Sequence, residues 1–380
     1  MSSRLGLRLA ALTLLLVALS PTMLIAARQY QLSPLASIVN ELEAYAAGIN
    51  NSGQVVGHVI DPVGHAHAAY WGEDGQRLLP ELDVSAPYSH AYRINESGQI
   101  VGKAGTAEGS VHATLWTEFQ VTDIGTLTGA GDSFAADISD GGVVVGSSTA
   151  EVGQSAFTWT SDGGFVDYGN TEPPFRLAVA GFNGINNHGL MVGTSYIILD
   201  PYHAAFAREG QKGLTDLSPP GRNSVGMAMA VNDAGTIVGY QSGGDGSIQA
   251  TIFREDGSLD QLGTLGLEES WALDVNQANE TVGRAFAFGP GGLITKAFVT
   301  SGRDMLDILE NSSNPDGWLL VEATAINDHG VIVGNGLFQG EPRAFMATPV
   351  PEPSSVVLAL TSLALFAFGR RFRRLVHLKH

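Results

Sequence analysis

The residues of this sequence with the clearest chemical potential are two closely spaced histidines. His65 and His67 are two positions apart, so on a β-strand both imidazoles would lie on one face and could begin a metal site. The sequence places no acidic or histidine partner beside them. The chain is built from repeats, described below, and His67 occupies a position that is polar in every repeat but differs in residue type. We therefore expect a surface pair and no metal ligand.

Carboxylate pairs are the next candidates. Glu73 lies in GEDG and Glu255 in REDG, and each stretch follows an apolar strand pattern, which predicts a solvated hairpin turn. No G-x-S-x-G, H-E-x-x-H or phosphate-cradling glycine loop stands in a suitable context. The chain has no cysteine, which excludes thiolate catalysis, disulfides and Cys-ligated zinc. The sequence predicts no catalytic and no cofactor-binding residue.

Three charged residues near the ends of strand patterns keep an enzymatic alternative open. Arg93, Asp137 and Asp274 would point toward the channel mouth of a radial fold, where propeller enzymes place polar groups from several blades. This alternative, a glycan lyase or hydrolase, requires a His or Glu within hydrogen-bond reach of them.

The remaining histidines and tryptophans favour structural roles. His112 and His203 repeat the polar position of His67 and are expected at the surface. Trp71, Trp116 and Trp159 end successive strand patterns. They could stack on sugars if exposed, but packing between blades is the favoured interpretation.

A unit of about 45 residues, repeated seven times, must position these side chains. Each copy has a β-branched residue, usually Asn, a polar turn with Gly, apolar residues and a closing Gly, as in INESGQIVG at Ile94. A second element follows, with Ala after a variable polar residue, as in HATLW at His112. A period of this size is typical of propellers, solenoids or arrays. The closing glycines are Gly57, Gly102, Gly146, Gly193, Gly239, Gly283 and Gly334.

The Asn and Gly of the first element predict a hairpin turn. Asn can hydrogen-bond its own backbone two residues on, and Gly supplies the positive φ of a type I turn with a G1 bulge. Asn279 replaces this Gly in the sixth copy and is the next-best residue for positive φ, which favours a turn over a ligand site. The predicted turn residues are Asn50, Gly53, Asn95, Gly98, Asn186, Gly189, Asn232, Gly235, Asn327 and Gly330.

Four short strand patterns in each of seven units predict an all-β, seven-bladed β-propeller. The last unit ends after RAFMA at Arg343, so it lacks an outermost strand, whereas YQLSPLA at 30–36 precedes the first unit. We expect that segment to supply the missing strand and hold the ring shut. The alternative, an open β-solenoid, would need capping ends, and the complementary half-units argue against it.

The charge distribution bears on partners. The formal net charge is −18, and the middle of the chain reaches −25 when seven Lys and Arg residues near the two ends are set aside. An acidic middle argues against nucleic acid, whose phosphates it would repel.

The N-terminus predicts a signal peptide over 1–27. Arg4 and Arg8 precede an apolar core at 9–19, and Ala26 and Ala27 offer small residues near a cut. An uncleaved anchor helix is the alternative, but the apolar run is shorter than the roughly 20 residues of a membrane span.

The C-terminus has the order of a processing signal. The uninterrupted apolar run at 356–369 has 14 residues, which is marginal for a durable span and adequate for a transient stop. The arginines after it would stay in the cytoplasm and leave the repeats outside the inner membrane. Pro351 and Pro353 keep the preceding segment extended, as a protease needs. A plain C-terminal anchor is the alternative.

These motifs carry two family resemblances. The repeats, over about 36–348, resemble the extracellular HAF repeats of bacterial proteins, although no copy reads His-Ala-Phe and SAF, KAF and RAF come nearest. The tail is similar to a PEP-CTERM sorting signal in three ordered parts. These are the motif Val350, Pro351, Glu352 and Pro353, the apolar segment 356–369, and the basic end Arg370, Arg371, Arg373 and Arg374.

The resemblances imply a fold, a location and processing partners. HAF repeats imply a propeller-like extracellular β fold without established catalytic activity. A PEP-CTERM tail implies recognition by an exosortase, a membrane-embedded protease-transpeptidase of Gram-negative bacteria that make exopolysaccharide and biofilm matrix. The expected domains are therefore a signal peptide at 1–27, a propeller at 28–349 and a sorting domain with a short transmembrane helix at 350–380.

We expect an exported, non-catalytic protein that passes through an inner-membrane intermediate to the cell surface or matrix. Its partners would be signal peptidase and exosortase during export, and then exopolysaccharide or a surface protein. Contact with the membrane would be limited to the C-terminal helix before processing. The alternatives are a carbohydrate-active propeller enzyme and a purely structural matrix component.

Overall fold

The computed structural model describes residues 28–38, 43–85, 87–151, 153–169, 179–196, 202–211, 213–217, 225–243, 246–302 and 304–351. The β fold occupies one compact unit, Tyr30–Pro351. The predicted signal peptide at 1–27, Glu352 and Pro353 of the sorting motif, and the apolar and basic segments after them lie outside the described residues. No helix capable of crossing a membrane occurs in the part that is described.

The described residues form an all-β, seven-bladed propeller, as predicted. The first strand, β1 (Tyr30–Pro34), belongs to the last blade. Blade 1 contains β2 (Glu43–Ile49), β3 (Val55–Ile60), β4 (Ala66–Gly72) and β5 (Gly75–Leu78). Blade 2 contains β6 (Ser89–Ile94), β7 (Ile100–Gly105), β8 (Val111–Thr117) and β9 (Gln120–Gly125). Blade 3 contains β10 (Ser133–Ile138), β11 (Val144–Thr149), β12 (Gln154–Thr160) and β13 (Gly164–Asp167).

The other four blades follow the same order. Blade 4 contains β14 (Val179–Ile185), β15 (Leu190–Tyr196), β16 (His203–Arg208) and β17 (Thr215–Asp216). Blade 5 contains β18 (Gly226–Val231), β19 (Ile237–Ser242), β20 (Ile248–Phe253) and β21 (Leu259–Gly263). Blade 6 contains β22 (Glu269–Val275), β23 (Thr281–Gly289), β24 (Gly292–Ser301) and β25 (Asp304–Asp307). Blade 7 contains β26 (Trp318–Ile326), β27 (Ile332–Phe338), β28 (Glu341–Pro349) and β1.

The ring is closed by strands from the two ends of the propeller. β1 pairs antiparallel with β28 over five rungs, from Tyr30 opposite Pro349 to Pro34 opposite Phe345. The Asn314 side chain adds two 2.8 Å hydrogen bonds to the backbone of Leu32, one to its N–H and one to its carbonyl. The prediction that the segment at 30–36 supplies the missing strand is therefore confirmed. We call the paired strands β1 and β28 the clasp.

Every innermost strand carries a β-bulge at the same place. In blade 2 the register between β6 and β7 shifts between Ala91 and Arg93, which leaves Tyr92 as the extra residue. The bulge brings the backbone close to the closing glycine, because a Cβ atom on Gly102 would lie 1.9 Å from the His90 carbonyl oxygen. The other six closing glycines face equivalent carbonyl oxygens at 1.9–2.1 Å. Only glycine fits there.

The hydrophobic core is divided among the seams between blades. Seven buried clusters occur in the described residues, and each draws its residues from two neighbouring blades. Between blades 1 and 2, for example, Val56 and Tyr70 pack with Ala91 and Trp116. Each blade thus depends on both neighbours to bury its two faces, as expected for a closed radial array.

Candidate functional site: the axial cavity

The turn between the first two strands of each blade lies at the propeller axis, and we call it the Asn turn. In blade 2 the Asn95 Oδ1 atom accepts hydrogen bonds from the backbone N–H groups of Ser97 at 3.1 Å and Gln99 at 2.9 Å. Gly98 has φ +77°, and Asn279 has φ +61° at the same position in blade 6. These contacts fix the turn because the side chain replaces backbone partners that the reversal leaves unpaired.

The amide of each turn asparagine also holds the next blade. The Asn95 Nδ2 group donates to the Ser139 carbonyl at 3.0 Å, one blade further round the ring. The same contact joins Asn50 to Asn95, Asn186 to Asn232, Asn232 to Asn276, Asn276 to Asn327, and Asn327 to Asn50. In blade 3 the equivalent Ser139 caps its own turn through Val143 N–H at 3.1 Å. Among the described residues it makes no corresponding bond to blade 4.

The residue after each turn asparagine, or after Ser139 in blade 3, forms a second ring, here called the mouth ring. Its members are Asn51, Glu96, Asp140, Asn187, Asp233, Gln277 and Asp328. The backbone N–H of each member donates to the side-chain oxygen of the member on the next blade, at 2.8–3.1 Å, all the way round. Four of the seven side chains are carboxylates, so the axis opens through an acidic rim.

The mouth ring surrounds an axial cavity of about 250 Å³. The residue after each bulge is small in four blades, Gly48, Gly184, Ala230 and Ala325, and of these Ala230 lines the cavity. In the other three blades it is Arg93, Asp137 or Asp274, and all three line the cavity. The structure thus brings together the three charged residues that the sequence analysis associated with the channel.

These three charged side chains bond the backbone of neighbouring blades. Arg93 Nη1 donates to the Ala47 carbonyl of blade 1 at 2.6 Å. Asp137 Oδ2 accepts from Ile185 N–H of blade 4 at 2.9 Å, and Asp274 Oδ2 accepts from Ile326 N–H of blade 7 at 3.0 Å. None of the three forms a hydrogen bond with a His or Glu side chain in the described part of the chain.

Burial governs the ionisation of the two aspartates. It raises the pKa of Asp137 to about 6, although the Arg93 guanidinium and the backbone N–H donors of Ile185 and Ile138 act in the opposite direction. Burial also raises the pKa of Asp274, again against the effect of Arg93. In both residues the backbone donors and Arg93 offset part of the desolvation cost of the carboxylate.

The tryptophans predicted to pack between blades do so. Trp71 and Trp116 are buried, and their indole N–H groups donate to the carbonyls of Ala36 at 2.8 Å and Pro80 at 2.7 Å. Trp159 is partly buried against the cluster between blades 2 and 3. Sugar stacking on these faces is therefore not supported.

The repeated polar position of the second element has a partner that the sequence analysis missed. His112 contacts Asp123 at 2.9 Å, and His203 contacts Asp216 at 2.7 Å, each across the third and fourth strands of its blade. These imidazoles are 20% and 16% exposed, so both lie at the surface but are partly covered. The signal was available in the sequence, because an acid recurs in the VTDIG and LTDLS stretches that follow.

His67 occupies the same position in blade 1, but its surroundings differ. It contacts both Glu81 and Asp61, and His65 lies against Asp61 as well.

The predicted turns at Glu73 and Glu255 lie at exposed hairpin reversals, between β4 and β5 and between β20 and β21.

Comparison with known proteins bears on the fold. No family model matches the sequence, and no curated protein matches it. A puromycin-hydrolyzing peptidase from Mycobacterium tuberculosis is 10% identical with a TM-score of 0.53, over 82% of this chain and 52% of that one. A prolyl endopeptidase is 9% identical with a TM-score of 0.49, over 86% of this chain and 51% of the endopeptidase. A lectin from Aleuria aurantia is 12% identical with a TM-score of 0.39, over 75% and 100%.

The chain thus spans about half the length of the two peptidases that it matches. At such low identity, the likeness shows a propeller fold alone, since one fold hosts many unrelated functions.

Proposed function

We propose that this protein is an exported, non-catalytic binding protein whose ligand engages the acidic mouth of the propeller axis. The observation that carries the proposal is the mouth ring, in which backbone hydrogen bonds hold seven polar side chains around one opening. Side chains fixed in this way lose little conformational freedom when a ligand arrives, which favours binding.

The charge of the rim indicates the chemistry of the ligand. Glu96, Asp140, Asp233 and Asp328 surround the opening, and Asp137, Asp274 and a single cation, Arg93, also line the cavity. Such a rim attracts positive charge and accepts hydrogen bonds. An amine-bearing glycan or a basic protein segment fits these requirements.

The geometry favours binding over the enzymatic alternative. A lyase or hydrolase needs a proton donor and acceptor positioned on the substrate. Arg93, Asp137 and Asp274 are instead engaged with backbone groups of neighbouring blades. A purely structural matrix role would use the same scaffold without requiring the acidic rim.

The proposed location follows from the two ends of the sequence. The signal-peptide pattern at 1–27 and the PEP-CTERM-like tail at 350–380 would deliver the propeller to the cell surface or the extracellular matrix, with signal peptidase and exosortase acting during export. A matrix rich in polysaccharide would present the kind of ligand that the rim fits.

The test removes the charge of the rim while keeping an acceptor for each backbone N–H of the mouth ring. The bonds that Asn51 and Asn187 donate to the second carboxylate oxygens of Asp328, Asp140 and Asp233 are lost. A variant with Glu96→Gln, Asp140→Asn, Asp233→Asn and Asp328→Asn keeps an oxygen for each backbone N–H, as Asn51, Asn187 and Gln277 already do. Glycan arrays and pull-downs from surface extracts should show binding by the native protein that weakens with added salt and falls at least tenfold in the variant. Arrays identify a glycan ligand and pull-downs a protein ligand.

A matched control removes the same number of negative charges away from the axis. Glu73→Gln, Glu108→Gln, Glu151→Gln and Glu341→Gln alter exposed carboxylates in hairpins and loops, and binding should persist. Equal losses in both variants would show nonspecific attraction, and failure of the native protein in both screens would remove the binding function.

A further inference from the structure

Three potential metal ligands meet at the hairpin between β3 and β4 in blade 1. The Asp61 Oδ2 atom lies 3.4 Å from His65 Nδ1 and 3.3 Å from His67 Nε2. One ligand atom from each of the three residues fits within 4.8 Å of the others. This hairpin is at the end of the blade opposite the Asn turn, so the cluster is separate from the mouth ring.

The hairpin fixes the orientation of the Asp61 carboxylate. Its Oδ1 atom accepts hydrogen bonds from the backbone N–H groups of Val63 and His65, both at 2.9 Å. Gly64, with φ +92°, completes the reversal by donating to the Asp61 carbonyl at 3.0 Å. With Oδ1 occupied by the loop, Oδ2 is directed toward the two imidazoles.

A second carboxylate fixes His67. Glu81 Oε1 lies 3.0 Å from His67 Nδ1, and the same oxygen accepts a hydrogen bond from the Ser89 hydroxyl at 2.8 Å. In the neutral tautomer with its proton on Nδ1, His67 donates to Glu81, and the lone pair of Nε2 faces Asp61 and is available to a metal. A carboxylate behind a histidine in this way orients the ring and increases its basicity toward a metal.

We propose that Asp61 Oδ2, His65 Nδ1 and His67 Nε2 bind a divalent transition-metal ion, with Zn²⁺ as the best-fitting case, and that Glu81 positions His67. In tetrahedral coordination with bonds of about 2.0–2.1 Å, neighbouring ligand atoms lie about 3.3–3.4 Å apart. The two separations from Asp61 Oδ2, 3.4 and 3.3 Å, match that edge. Two imidazoles and one carboxylate are a suitable donor set for Zn²⁺, Co²⁺ or Ni²⁺.

Other blades show what the same position looks like without these ligands. In blade 2 the residues aligned with Asp61, His65 and His67 are Thr106, Ser110 and His112. There the Nδ1 atom of His112 lies 2.9 Å from the Asp123 Oδ2 atom. In blade 1 a single carboxylate oxygen instead lies between two imidazoles, at distances longer than charge-assisted hydrogen bonds prefer. That spacing suits an ion held between them.

The site is accessible and has room for a further ligand. The side chains of His65, Asp61 and His67 are 50%, 26% and 16% exposed, so an ion can enter while part of the site stays shielded. Three protein ligands leave at least one coordination position for water or for a group on another molecule. The sequence alone placed no acid beside this histidine pair, whereas the folded hairpin supplies Asp61 and the next segment supplies Glu81.

The experiment is a titration of the full-length, metal-free protein with Zn²⁺ by calorimetry, paired with Co²⁺ absorption spectroscopy. We expect one ion per chain and visible Co²⁺ bands typical of a four- or five-coordinate ion. His67→Ala and His65→Ala should each weaken Zn²⁺ binding at least 100-fold. Glu81→Gln should weaken it about 10- to 100-fold, as for other groups behind a metal ligand.

The controls separate a specific site from general histidine or acidic binding. His112→Ala and His203→Ala remove histidines from the same strand position and should leave affinity and stoichiometry unchanged. Circular dichroism verifies that each variant is folded. Absence of one-to-one binding by the native protein, or equal loss in His112→Ala and His67→Ala, would overturn the proposal.

Discussion

At the scale of single residues, glycine has two different functions in each repeat. Gly235 lies in an Asn turn with φ +79°, and a Cβ atom there would have no other atom within 4 Å, so its role is conformational. Gly239 closes the same element, and a Cβ atom there would lie 1.9 Å from the Met227 carbonyl oxygen, so its role is steric. The two positions are four residues apart and need glycine for unrelated reasons.

One pair of substitutions separates these functions. Gly235→Ala should destabilise the protein by about 1–2 kcal/mol, because alanine is strained at positive φ but meets no neighbour. Gly239→Ala should cost about 3 kcal/mol or more, because the backbone of the bulge must move. Urea unfolding of both variants measures the difference, and equal effects would contradict the steric assignment.

The sequence carried part of this residue-scale information. Positive φ at the turn was predictable, because Asn279 is the one substitute for Gly and glycine and asparagine share that preference. The need for glycine at the closing positions was not predictable, because it arises from a bulge on the partner strand. Periodicity of apolar residues does not reveal such an irregularity in register.

At the scale of elements, the Asn turns link neighbouring blades by hydrogen bonds. Each turn asparagine caps its own hairpin through Oδ1 and reaches the next blade through Nδ2, as Asn232 does toward Thr236 and Asn276. The sequence predicted the first function, since Asx turns are local. The second depends on how far neighbouring blades lie from each other, so only the folded ring shows it.

The interruption at Ser139 predicts a stabilising substitution. Ser139→Asn should supply the missing amide toward the Asn186 carbonyl and stabilise the propeller by about 0.5–1.5 kcal/mol, the usual net value of one hydrogen bond. The reciprocal Asn95→Ser should destabilise it by at least as much, since it removes one of the two donors to the Ser139 carbonyl and leaves only the Gly142 N–H. Thermal unfolding of both variants is the measurement. A destabilised Ser139→Asn protein would show that blades 3 and 4 are spaced differently from the rest.

At the scale of the whole molecule, the number of blades and their closure followed from repeat counting. Seven copies of a four-strand unit fix the number of blades, and the missing last strand together with YQLSP at 30–34 fixed the way the ring closes. The clustering of Arg93, Asp137 and Asp274 was accessible for the same reason, since equivalent positions in a closed ring face one axis. The proximity of Asp61 to His65 and His67 was not predictable, because it depends on the conformation of the loop and not on the repeat.

The clasp predicts how the molecule responds to being opened elsewhere. In blade 1 a two-residue turn, Glu73 and Asp74, joins the paired residues Gly72 and Gly75. Linking Pro349 to Tyr30 in the same way, and placing new ends in the 128–131 loop, would give each blade four consecutive strands and no strand exchange. Such a circular permutant should fold but melt several degrees lower, because only side-chain packing would hold the new seam. An unchanged melting temperature would show that the clasp does not limit stability.

The clasp also has a consequence for the order of events as the chain is made. β1 is synthesised first and β28 last, so the edge of β1 has no partner until nearly all of the propeller has been completed. A chain that stops early keeps an open strand edge, and open edges invite pairing with other chains or attack by proteases. Pairing of β1 with β28 therefore distinguishes a completed propeller from a truncated chain, whether or not a ligand is bound.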